Sequence, residues 1–291
     1  MLTKPGEPWG WERVGLAEDT DSGDNSAMPT RSHPKHPKHT SHPKRPAPRK
    51  PPDPAHVLVI DVGGSHVKFR MGERGGIRRF VSGRDMTAAE MVRQVRKLAR
   101  DLSYQAVAIG YPGLVLRGRI AAEPYNLGPG WVGYDFEKTL GRPVRVVNDA
   151  TMQALGSYEG GRMLFLGLGT GLGATLILEG AVEPMEIGHM PYKRGRTFED
   201  YVGERGRKRL GNKKWRKAVV EVVMRLKDVL EADYVVLGGG NAVRLKELPE
   251  GVRLGDNLNA FKGGLHLWRG DDPLAASISR RQRTAPPDSR R

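Results

Sequence analysis

Two acidic residues stand where apolar runs end. HVLVID (56–61) closes on Asp61, and PVRVVND (143–149) closes on Asp149. A carboxylate at the carboxyl end of a buried strand faces the crevice of an α/β sheet. There it can take a proton from a hydroxyl or hold a magnesium ion. Each has a plainer role open to it. Asp61 could cap the turn that follows, and Asp149 the helix that follows.

Glycine clusters supply the second kind of chemistry. FLGLGTGLGATLIL (165–178) sets Gly167, Gly169, Gly171 and Gly173 at alternate positions. It formally fits the dinucleotide fingerprint G-x-G-x-x-A, but that fingerprint needs a helix directly after the glycines. The following ATLILEG reads as a strand. A strand–glycine turn–strand bares backbone N–H groups that can hold phosphate oxygens, and Thr170 adds a hydroxyl. Gly63, Gly64 and Ser65 repeat the design after Asp61. LGGGNA (237–242) supplies Gly238, Gly239, Gly240 and Asn241 after another strand, and a helix is expected to follow. Phosphate cradles beside a proton acceptor are the parts of phosphoryl transfer. Lys68 lies on an alternating strand, where exposure is expected and phosphate contact is the alternative.

These groups need a scaffold. Apolar patterning predicts strands at 56–61, 66–71, 77–81, 105–110 and 143–149, two more within 162–182, and one opening 234–245. Helices are predicted at 86–102, with a Thr87/Glu90 capping box, at 150–158 and at 213–232. Consecutive hairpin strands among helices imply a mixed sheet.

The 291 residues carry a formal charge of +15 and no cysteine. That excludes disulfides, thiolate zinc sites and cysteine nucleophiles, and it favours a polyanionic partner. No apolar run reaches membrane-spanning length and no apolar signal region opens the chain, so a cytoplasmic protein is expected. Residues 1–55 and 272–291 read as disordered tails. The first holds four of the eight histidines and the basic stretch 31–50, and Met28 is an alternative start.

Taken in order, VIDVGGSHVK, GYPGLV, PYNLGPGW, VVNDA, FLGLGTGLGATL, EIGH and VLGGGNA cover most of 57–265. This series resembles the ROK family of sugar kinases and sugar-responsive repressors, in the actin–hexokinase–Hsp70 superfamily. The resemblance implies a two-domain actin/hexokinase-like (ribonuclease H-like) α/β fold with mixed sheets. Its cleft would lie between domains at 56–147 and 148–271. It also implies Asp149 as catalytic base, Asn126, Asn148, Asp149, Glu186, His189 and Glu199 as sugar ligands, and a homodimer. ROK proteins commonly carry a cysteine-rich zinc motif after the EIGH segment, where this chain reads MPYKRGRTFEDYVGERG. That departure resembles the polyphosphate glucokinase branch and implies no zinc. His189 is then a structural or sugar-site residue, and Glu199 has a helix-start role as its alternative. Trp131 could face a sugar or fill the core.

The implied reaction is phosphorylation of the glucose 6-hydroxyl, with magnesium and with ATP or inorganic polyphosphate as donor. Residues 193–217 hold eleven Lys or Arg against three acids, which suits a long polyanion. A ROK-type transcriptional regulator would need a DNA-reading helix pair, which 1–55 does not show, so no specific nucleic acid is expected. A noncatalytic polyanion-binding protein is the remaining alternative.

Overall fold

The computed structural model describes residues 51–256 and 258–269, which belong to one compact unit. Of the expected disordered tails, residues 1–50 and 272–291 lie outside the described residues, whereas 51–55 are ordered, with Asp53 capping a short 3₁₀ turn, Pro54–His56.

Two five-stranded sheets share one topology. In the first, β1 (Val57–Val62), β2 (His66–Met71) and β3 (Arg78–Val81) form an antiparallel meander. Helix α1 (Ala88–Leu98) then crosses to β4 (Ala106–Tyr111), which lies parallel to β1. A small hairpin, β5 (Val115–Leu116) and β6 (Arg119–Ile120), and helix α2 (Phe136–Leu140) lead to β7 (Val144–Asn148), parallel to β4. The order is β3-β2-β1-β4-β7. After α3 (Asp149–Ser157) the plan repeats. Strands β8 (Arg162–Leu168), β9 (Leu172–Leu178) and β10 (Ala181–Met185) form the second meander. The short pair β11 (Pro191–Lys193) and β12 (Arg196–Thr197) precedes helices α4 (Phe198–Val202) and α5 (Glu204–Val229). Strands β13 (Tyr234–Gly238) and β14 (Val252–Leu254) join in parallel, giving β10-β9-β8-β13-β14, and α6 (Asn259–His266) closes the fold.

Helices cover both faces of each sheet, which is why β1, β4 and β8 read as unbroken apolar runs. Met91 and Val95 of α1 and Phe136 of α2 pack on Leu58 and Ile60. Trp215, Val219 and Val223 of α5 pack on Leu164 and Leu166. Between the sheets, Met152 and Leu155 of α3 and Phe261 and Leu265 of α6 join Val59, Phe165 and Val236.

The structure departs from the sequence reading in several places, the unpredicted short helices α2 and α4 among them. The Thr87 cap accepts from Glu90 N, but the Glu90 carboxylate goes to Arg93 and Gln94 instead of closing the box. The long helix starts at Glu204 rather than 213, with Gly211 at φ 71° kinking it. The glycines at 238–240 lead into a single 3₁₀ turn, Ala242–Arg244, and not a full helix. Helix α6 was not foreseen.

Candidate active site

Parallel pairing of β1, β4 and β7 brings Asp61 and Asp149 to the same edge of the first sheet. Asp61 is in register with Gly110, and a Cβ on Gly110 would lie 3.6 Å from Asp149 Cα. Asn148, not Asp149, caps α3: its Oδ1 accepts from Ala150 N and Thr151 N at 2.9 and 3.3 Å. Its Nδ2 donates to the Gly113 carbonyl at 3.0 Å, so the whole amide is engaged in building the site. Asp149 is the first residue of the helix, with Oδ1 accepting from Ala150 N at 2.8 Å. Burial raises its carboxyl to about 7, and Asp61 adds like-charge repulsion, with a smaller contribution from Glu186. Burial likewise raises Asp61 to about 6, against the attraction of Lys68. Lys68, expected to be exposed, is half-buried as the cross-strand partner of Asp61.

The first glycine turn joins β1 to β2. Gly63 N donates to the His66 carbonyl, and Ser82 clamps the turn through its Oγ to Gly63 O at 2.6 Å and its N to Ser65 O at 3.0 Å. Gly64 and Ser65 remain exposed, with their N–H groups outside these bonds. Asn126 sits against this turn, since a Cβ on Gly64 would be 3.4 Å from its Cβ.

The second turn joins β8 to β9 as a strand pair, with Gly167 facing Gly173. A Cβ on Gly173 would stand 2.9 Å from Ala150 Cβ, so this pair lets α3 approach the hairpin. Gly169 lies at the tip, where a Cβ would meet nothing within 4 Å. Thr170 is exposed. Glu199 Oε2 accepts from Leu172 N at 3.2 Å and fills the space beside Gly171 and Gly188, so it braces this hairpin against the EIGH turn.

The third loop docks on the second. Gly239, at φ +82°, lies where a Cβ would strike Leu168 O at 2.5 Å, and Asn241 N donates to the same carbonyl. The Asn241 side chain is buried and engaged, so it works as a strut. Gly240 is open.

Glu186 and His189 are exposed on the segment after β10, Glu186 within electrostatic reach of Asp149. Among the described residues, no hydrogen bond ties the His189 side chain to the other predicted residues. Trp131 is core: fully buried, with Nε1 donating to Met86 O at 3.3 Å and its ring 5.3 Å from Tyr111.

Sequence reasoning missed three contributors. Glu204 N donates to the Gly169 and Thr170 carbonyls, tying α5 to the second turn. Its one visible signal is a lone acid in a basic run. Arg205 reaches Tyr125, with Nη2 3.4 Å from the hydroxyl and the guanidinium 5.7 Å from the ring centre. That contact links the loop of Asn126 to the helix beside the second turn.

Residues 57–207, just over half of the chain, match the model of the ROK family. The chain belongs to the ROK family. A polyphosphate glucokinase of Mycobacterium tuberculosis is 25% identical over 207 residues, 64% of this chain and 77% of that protein. The polyphosphate glucokinase of Mycobacterium leprae is 23% identical over 203 residues, 62% of each chain. Among solved structures, the inorganic polyphosphate/ATP-glucomannokinase of Arthrobacter sp. strain KM superposes with a TM-score of 0.63 at 22% identity, covering 72% of this chain and 96% of that one. A ROK family glucokinase of Streptomyces griseus, in complex with glucose and AMPPNP, gives 0.58 at 17% identity over 73% and 99% of the two chains. This ROK chain therefore has the actin/hexokinase-like α/β fold with mixed sheets. No helix among its described residues is long and apolar enough to cross a membrane.

Proposed function

We propose that this chain is a sugar kinase that phosphorylates the 6-hydroxyl of glucose, with inorganic polyphosphate or ATP as donor. The observation that carries the reading is a carboxylate with its pKa raised to about 7, Asp149, placed beside two phosphate-type glycine turns. Asp149 takes the hydroxyl proton as the phosphoryl group transfers. Gly63 N and Gly169 N are spent on the His66 and Gly171 carbonyls, so the backbone N–H groups of Gly64, Ser65, Thr170 and Gly171, with the Ser65 and Thr170 hydroxyls, hold the donor phosphates. Gly238, Gly239 and Gly240 line the donor side. Asn126, Glu186, His189 and Glu199 surround the sugar, and Asn148 orients the helix that carries the base.

A magnesium ion fits this donor set. Two neighbouring carboxylates with raised pKa values are short of positive charge, and magnesium is commonly held by one or two carboxylates plus phosphates. Asp61 would hold it, directly or through water, where it offsets phosphate charge. No zinc enters the reading. We place the cleft between halves at 56–147 and 148–271, and the protein in the cytoplasm as a homodimer.

Polyphosphate is supported by α5. Lys213, Lys214 and Lys217 are exposed without an ion-pair partner among the described residues, on the helix whose first residue holds the second turn. Purified protein with magnesium, a sugar panel and either donor tests the reading through detection of sugar phosphate. No product with any pair of substrates would overturn it. Activity with ATP and none with polyphosphate would remove the second donor.

A further inference from the structure

A basic groove lies on the outer face of the first sheet, away from the residues of the candidate active site. Two adjoining cavities of about 470 and 520 Å³ share Arg96 and Arg100 in their walls. Arg142 and Ser103 line the first, and Arg93 and Lys97 line the second.

The acids near this groove are already engaged. Asp101 accepts from both terminal nitrogens of Arg78, at 2.5 and 2.6 Å. Glu90 holds Arg93 at 2.6 and 2.8 Å. Arg96, Lys97 and Arg100 are exposed and have no acidic partner among the described residues. Arg96 lies in the last turn of α1 and Arg100 just past its end, and both line the two cavities, where like charges repel. Arg142 is held in place, with Nε on the Tyr104 carbonyl at 2.8 Å and Nη1 on that of Gly141 at 3.2 Å. An anion in the groove would relieve the repulsion and meet a guanidinium already fixed in position.

The groove is not an arm of the transfer site. Its residues 100–104 and 140–142 lead into the amino ends of β4 and β7, whereas Asp61 and Asp149 lie at carboxyl ends. A six-residue strand separates the two edges by about 20 Å.

Its chemistry selects the ligand. Arginine forks match phosphate oxygens. Single-stranded nucleic acid also needs exposed aromatic rings on which bases stack. The two tyrosines here, Tyr104 and Tyr134, pack against the core, and Tyr134 leans on Phe136 at 4.8 Å. Charge without a stacking platform favours a bare phosphate chain.

We propose that the groove between α1 and α2 is a second binding site for inorganic polyphosphate, separate from the transfer centre. It stands independently of the kinase reading, because binding alone tests it. A chain long enough to reach both sites would be tethered near the transfer centre and so raised in local concentration.

The test is fluorescence anisotropy of labelled long-chain polyphosphate on the full-length protein across a salt series. Arg96→Glu/Arg100→Glu is compared with a charge-matched control, Arg74→Glu/Lys262→Glu, two exposed cations outside the groove. Arg96→Gln/Arg100→Gln serves if the reversal fails to fold. The groove variant should bind about tenfold more weakly than the control, and its slope of log Kd against log salt should fall by about one to two. Equal losses in groove and control variants would reduce the site to general charge and overturn the proposal. So would unchanged binding, or stronger competition from single-stranded RNA than from unlabelled polyphosphate.

Discussion

Asn241 Nδ2 donates to Glu204 Oε2 at 3.1 Å and to the Gly169 carbonyl at 3.2 Å. One buried amide thus joins the third glycine loop, the second glycine turn and the start of α5. Arg244 Nε donates to its Oδ1 at 3.1 Å. Arg207 first, and then Asn241, hold the Glu204 carboxyl at about 2, so the acceptor stays ionised at any working pH. Asn241→Ala leaves these groups short of a partner and should cost about 1–3 kcal/mol in urea unfolding. It should also raise the KM for the donor while leaving the KM for glucose unchanged. Asn241→Asp should be worse on both counts, because it sets a carboxylate against Glu204. Equal rises in both KM values would show that the strut does not act on the donor side alone.

Asp149→Asn separates the reaction from the fold. The cap from Asn148 is untouched, and the new amide oxygen can still accept from Ala150 N. Loss of a general base costs about 10²–10⁴-fold in kcat, with glucose affinity by calorimetry retained. The same change should stabilise the protein at pH ~8, because it removes a carboxylate that burial and Asp61 hold unfavourably charged. Allowing for solvent screening, the gain is about 1–2 kcal/mol. A variant within a few-fold of wild-type activity would remove Asp149 from the chemistry.

The pH dependence follows from the raised values. Asp149 accepts a proton only when ionised, so kcat/KM for glucose should climb through a midpoint of about 7. Stability should run the other way. The folded chain keeps protons on Asp61 and Asp149 that the unfolded chain releases near 3.8. Their contribution is complete below about 4 and lost as pH rises through about 6 to 7. A rate that stays flat between pH ~5.5 and ~8 would exclude a buried carboxylate as the base.

The readable parts of this fold were those where local pattern and tertiary role agree. Asp61 and Asp149 were visible because each ends an apolar strand, and strand ends face the cleft. The strand after Gly173 was visible because ATLIL suits a sheet. Helix α6 was hidden because Gly263 and Gly264 read as breakers, whereas they let two helices and a sheet meet closely. A Cβ on Gly263 would lie 1.7 Å from Met152 O, and one on Gly264 2.3 Å from Val59 Cγ1. The first turns of α5 were hidden by unbroken charge, which carries no apolar period. Glu204 was hidden because its partners lie 35 and 37 residues away, at Gly169 and Asn241, and no local pattern encodes them.

The alternating glycines of the second hairpin divide into two kinds, and substitutions should separate them. Gly173 faces inward, where an added methyl would press on Ala150 at 2.9 Å and push the first turn of α3, with Asp149, out of line. Gly173→Ala should therefore lower kcat, because misplacing a reacting group by about 1 Å can cost about 10²-fold. It should also destabilise the fold by about 1–3 kcal/mol through overpacking. Gly169 faces outward, and its added methyl would meet open space. Gly169→Ala should fold as well as the parent, yet raise the donor KM by crowding the approach of phosphate to bare N–H groups. Steady-state kinetics in both substrates, paired with thermal melts, reads the difference. If Gly169→Ala left donor KM unchanged, the turn would be serving the packing of β8 and β9 alone and not the donor.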